Sequence, residues 1–212
     1  MRKVVWVLVL TSLAAVDRMP ARAQPVRCHV VTDPAGDGTR HVDPPGLSTP
    51  NEPSLDVLSA DVGIGAKSMV FVVRVAALGS ATSQGPVTER WDMNFELRGQ
   101  QFATTATRAI DGADFRVLGQ FPENDTAAPG AQTSVPVAGS FDEARNEITV
   151  VVPRRLLPIL RPSKDSLTNL AVDSFSGAGI TSERLSLATT VDQTVQPGPN
   201  LPINAKTCVP AA

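Results

Sequence analysis

The sequence predicts an all-β fold: a single jelly-roll-like antiparallel β-sandwich with one short helical turn. Three observations carry this expectation. Short runs rich in Val, Ile, Thr and Phe recur along the chain, with Gly, Pro, Asn and Asp between them, the punctuation of a sandwich or barrel. No sustained 3.6-residue apolar period interrupts them. Residues 90–98 alternate cleanly: Trp91, Met93, Phe95 and Leu97 fall on one face, Asp92, Asn94, Glu96 and Arg98 on the other.

The ends of the chain read differently from its middle. Arg2 and Lys3 precede an apolar run over 4–16, and Ala21-Arg22-Ala23 supplies a small-x-small cleavage pattern. That run is about 13 residues, where a bilayer core needs about 20. Residues 1–23 are therefore expected to be a signal peptide, with a retained anchor as the competing reading. The mature chain is expected to be secreted, with no stable membrane insertion after cleavage. Residues 24–195 form the expected domain, and 196–212 a Pro-rich tail. The formal net charge of −2 becomes more acidic when the basic leader is removed, which argues against nucleic acid as a partner. About 190 mature residues are enough for one domain with a proper core. The two cysteines, Cys28 and Cys208, lie near the two ends of that domain. In an oxidising compartment a disulfide pinning both termini is the economical reading, with two free or metal-binding thiols as the alternative.

Taken in order, residues 29–32 suggest a first short strand. A loop over 33–54 follows, with prolines at 34, 44, 45, 50 and 53, too many for a central strand. A loop this long is often functional or metal-braced. Strands are expected over 55–64, 69–75 and 90–98. Gly99-Gln100 is read as a type II′ turn leading into a strand over 101–110. Further strands are expected over 115–121, 135–141 and 147–152. A helical turn is read over 154–160, bounded by prolines. Strands over 167–176 and 185–191 close the domain. With seven phenylalanines and no tyrosine, most of Phe71, Trp91, Phe95, Phe102, Phe115, Phe141 and Phe175 are expected in the core.

Several of these pieces together resemble a known family. They are Asp-Pro-Ala-Gly-Asp at 33–37, Pro-x-Leu-Asp-Val-Leu-Ser-Ala-Asp-Val at 53–62, the strand at 71–78 and the hairpin at 142–153. In that order they are similar to β-sandwich modules appended to secreted bacterial subtilisin-like proteases, which look similar to DOMON and family 9 carbohydrate-binding sandwiches. The resemblance covers most of 28–192. It implies a jelly-roll-like sandwich, an adhesive or ligand-binding role and, in some members, a structural calcium ion.

The residues themselves offer two candidate sites. Asp33 and Asp37 flank Pro34 and Gly36 and converge if the loop turns tightly. With Asp56 and Asp173 they would make an oxygen-only calcium site. The alternative is that Asp33 and Asp37 cap turns through their own side chains. The polar face Asp92, Asn94, Glu96 and Arg98 would line a ligand-binding surface, or it is a solvated sheet face. Trp91 shares its phase with Met93 and Phe95 and is expected in the core, not on a binding platform. Catalysis has little to rest on, since His29 and His41 are the only histidines and no Gly-x-Ser-x-Gly elbow is present. The leading expectation is a secreted, non-enzymatic module that binds an extracellular ligand, glycan or protein, with no cofactor required. The alternatives are an accessory envelope protein that binds another protein, and an unrecognised hydrolase.

Overall fold

Alternation over residues 90–98 places Trp91, Met93, Phe95 and Leu97 between two packed sheets, each at most 2% exposed. In the computed structural model, residues 27–38, 51–79, 88–109, 111–121, 133–157, 165–177, 189–193 and 201–202 are described. The strands are β1 (Arg27–Thr32), β2 (Val57–Ile64), β3 (Ser68–Val75), β4 (Thr88–Leu97), β5 (Gln100–Ala109), β6 (Gly112–Gly119), β7 (Thr133–Pro136), β8 (Ala138–Asp142), β9 (Glu147–Pro153), β10 (Ser166–Gly177), β11 (Thr189–Gln193) and β12 (Leu201–Pro202). Among the described residues, one 3₁₀ turn covers Arg154–Leu156. The expected all-β sandwich is what the chain forms. One sheet has five strands in the order β1-β2-β3-β9-β8. The other has seven, ordered β11-β10-β4-β5-β6-β7 with β12 also on β10, and every pairing is antiparallel. The expected signal segment 1–23, His41 and Cys208 lie outside the described residues. No helix of the described residues is long and apolar enough to cross a membrane.

Aromatic rings stitch the two sheets together. Phe71 of β3 stacks on Phe95 of β4 at 5.0 Å between centroids, and Phe95 stacks on Phe102 at 5.5 Å. Phe141 of β8 meets Trp91 at 5.5 Å and Phe115 at 5.1 Å. Such offset contacts add to the large apolar area these rings bury. Phe175 stands apart from this core and is only half-buried. It pairs with Arg90 across β10–β4 and so shares the outer phase of the sheet.

Four sequence expectations need correction. The strand expected at 55 begins at Val57, because the amides of Leu55 and Asp56 both bond to the Glu52 carbonyl and close a turn. The single strand expected over 135–141 is two. β7 pairs with β6 in the larger sheet, and β8 pairs with β9 in the smaller one. The chain changes sheet around Val137, whose amide still donates to Phe115; period-2 patterning has no information about which sheet a strand joins. The β4–β5 turn has positive φ at both Arg98 (54°) and Gly99 (73°). It is thus of the I′ kind and not II′, with Leu97 opposite Gln100. The last long strand is β11, over Thr189–Gln193, running two residues beyond the expected end.

The segment 51–56 ties the sheets at one end of the sandwich. Ser54 donates its hydroxyl to Glu89 at 2.6 Å, and Trp91 Nε1 donates to the Ser54 carbonyl at 3.1 Å. Ser174 donates to the Leu55 carbonyl at 2.6 Å. The buried side chains of Trp91 and Ser174 thus find backbone acceptors on the loop.

Candidate functional site

Two groups of polar side chains gather in space, on opposite sides of β10 and β11. The first is built on the loop after β1. Asp33 continues the ladder by donating its amide to Leu58 at 3.0 Å, and the chain then turns through Gly36 at φ 94°, a conformation glycine adopts without strain. Asp56 Oδ2 accepts the Gly36 amide and the Asn51 side-chain amide, both at 2.8 Å. Gly38 lies so close that a Cβ there would stand 2.8 Å from the Asp56 Cα and 3.0 Å from Asn51 Oδ1. From the other sheet, Asp192 of β11 accepts the Val57 amide at 2.6 Å.

The outcome is a cluster in which Asp33, Asp37 and Asp192 each present an oxygen, all within 4.8 Å of one another. Asp33 and Asp192 are buried and Asp37 is exposed. Burial pushes the Asp192 carboxyl above its ordinary pKa, and the charges of Asp37 and Asp56 add to the rise. Of the four acids expected at a metal site, Asp33 and Asp37 come together and Asp56 sits against them. Asp173 does not join. In β10 the neighbouring Ser174 turns toward the loop, so Asp173 falls on the opposite face. Asp192 takes the position instead, from the strand paired beside it. Nothing local marked Asp192 or Asn51, because their placement depends on the pairing of distant strands and a folded-back loop.

The second group lies on the outer face of the larger sheet. A cleft of about 460 Å³ is lined there by Asp92, Asn94, Glu96, Gln101 and Asn169, with Leu118 among its apolar contacts. Arg90 holds Asp92 through two bonds, Nε to Oδ1 and Nη2 to Oδ2, both at 2.7 Å, and both residues are buried. Asn94 donates to Asp173 at 2.7 Å, and Asn169 donates to Glu96 at 2.7 Å. Asn169 reaches Glu96 from a β10 irregularity where its own φ is 52°. Burial raises the pKa of Asp92, with Arg90 opposing. Burial also raises that of Asp173, and the neighbouring Asp92 charge adds to it. Three of the four expected ligand-face residues, Asp92, Asn94 and Glu96, line the cleft. Arg98 is absent from that lining; it sits in the β4–β5 turn and is held by Asp165 through bonds of 3.0 and 2.6 Å.

The outer face of the smaller sheet carries a charge ladder. Arg74 bridges Asp61 at 2.8 Å and Glu147 at 3.0 Å, and Arg27 reaches Glu147 at 3.1 Å. His29 lies 3.0 Å from Asp61 and 2.7 Å from the Thr32 hydroxyl. That order of groups has the connectivity of a hydrolytic triad. It is also what cross-strand partners on an open sheet face produce, and His29 and Asp61 are such partners. Comparison with family models, curated proteins and solved structures returned no match to this chain.

Proposed function

We propose that the chain is an extracellular, non-enzymatic β-sandwich module that binds a polar ligand in the cleft of its larger sheet, glycans being the ligand class. The observation that carries this reading is the convergence of Asp92, Asn94, Glu96, Gln101 and Asn169 from β4, β5 and β10 on one cavity. Carboxylates and planar amides over an apolar floor offer the paired acceptors and donors that neighbouring sugar hydroxyls require. The resemblance to carbohydrate-binding sandwiches makes glycans the first probes. No cofactor is part of this binding step, and calcium at the acidic loop would be structural. The test is a glycan array probed with residues 24–212, run beside a pull-down. A set of bound glycans is expected. A blank array together with recovery of one protein partner would favour the accessory-protein reading and reject this one.

Export and a disulfide belong to the same proposal. Cys28 is buried on the inner phase of β1. Its joining to Cys208 would tie the tail back to the edge of the smaller sheet. A non-reduced digest is expected to give one linked peptide containing both residues; separate peptides would refute the bridge.

A further inference from the structure

The acidic cluster between the loop and β11 has features that turn capping does not explain. Side-chain oxygens of Asp33, Asp37 and Asp192 lie within 4.8 Å of one another. Oxygens on opposite sides of a calcium ion at about 2.4 Å would themselves be about 4.8 Å apart. Asp56, 1% exposed, adds an independent sign. Its Oδ2 is spent on Gly36, between Asp33 and Asp37, and on Asn51, while its Oδ1 is buried and has no hydrogen-bond partner. Asp192 accepts the amide of the next residue, Val57, so Asp56 lies beside the cluster. Asn51 Oδ1, beside it, is likewise buried and unmatched. Buried acceptor oxygens without donors are costly, and a cation is the partner that several acceptors at once can share.

We propose that Asp33, Asp37 and Asp192, backed by Asp56 and Asn51, bind one divalent cation of the calcium class, which clasps the β1–β2 loop to β11. The donor set is oxygen only, carboxylates with an amide carbonyl. That suits a hard ion and not zinc or copper, which favour nitrogen and sulfur. The loop is pre-shaped for the ion by Gly36 at positive φ and by Gly38, which leaves no room for a side chain against Asp56. The ion would also bridge the two sheets, beside the Val57–Asp192 bond. Asp33 and Asp37 belong to the smaller sheet's loop, whereas Asp192 belongs to the edge strand of the larger sheet. This site is separate from the cleft, so failure of either reading leaves the other standing.

The test uses the chain over 24–212, stripped with EGTA and titrated calorimetrically with calcium chloride and, separately, magnesium chloride. One calcium per chain is expected, with magnesium at least tenfold weaker because of its stricter octahedral demand. Calcium at about a hundredfold excess over its dissociation constant should raise the melting midpoint by roughly 5–10 °C, and EGTA should reverse it. Asp192 also holds the Val57 amide, so Asp192→Ala risks misfolding. Asp37→Ala, at an exposed position, should fold and lose calcium affinity at least tenfold. No calcium heat with an EGTA-insensitive melt would overturn the proposal, as would an Asp37→Ala variant that binds calcium like the parent.

Discussion

Arg90→Ala is expected to destabilise the domain by about 3–5 kcal/mol, because it strands a buried carboxylate. Asp92 is 6% exposed and takes both of its short bonds at 2.7 Å from this one guanidinium. Burial already raises its pKa with Arg90 in place. For an acid with a raised folded-state pKa, the native state binds more protons than the unfolded state, so stability falls as pH climbs from about 3.9 through the raised value. Removing Arg90 steepens that fall. The loss should therefore be largest near neutral pH and shrink on acidification, since a protonated Asp92 needs no counter-charge. Replacing both partners, Arg90→Met with Asp92→Leu, should be far milder than Arg90→Ala alone, because buried pairs often give way to apolar residues at little cost. Urea unfolding of the three proteins at pH 7 and pH 5 reads all of this. A double variant as unstable as the single one would remove the argument.

Trp91→Ala is expected to cost about 3–5 kcal/mol, in the range for large aromatic residues cut from a core. The ring is 1% exposed, packs on Phe141 and lies under the Arg108 guanidinium at 5.7 Å. Its indole N–H also holds the Ser54 carbonyl, so the variant frees one part-buried acceptor on the segment that joins the sheets. Trp91→Phe should keep most of the packing and lose the bond, recovering more than half of the stability. A loss below about 1 kcal/mol for Trp91→Ala would mean that the two sheets are not held together at this point.

The residues over 90–97 made the sandwich legible, since their alternation matches which side chains of β4 face the core, although Arg90 and Asp92 on the outer phase are buried as well. The acidic pair Asp33 and Asp37 was legible for a similar reason: both sit in one tight turn, and local spacing is enough to bring them together. Asp173 was not, because a one-residue change of phase moves a side chain to the other face of a sheet, and Ser174 holds the inward position. Asp192 depends on which strand pairs with β10, a long-range choice without a local signature. Arg98 continued the polar phase on paper, yet the I′ turn takes it out of the strand before that phase can apply. The split between β7 and β8 escaped for a related reason, since Val135 packs on the core from one sheet and Phe141 from the other, and their spacing does not tell the sheets apart.

The central claim is that the outer face of the larger sheet is a ligand site. Glu96 and Gln101 are direct cross-strand partners on that face, neither of them in the core. Surface changes of this kind usually alter stability by no more than about 0.5 kcal/mol. The decisive measurement is binding on a defined glycan array by the parent chain and by Glu96→Ala/Gln101→Ala, with equal melting midpoints confirmed first. The account predicts that the parent binds a consistent set of glycans and that the folded variant binds them at least tenfold more weakly. Equal binding by both proteins would contradict it.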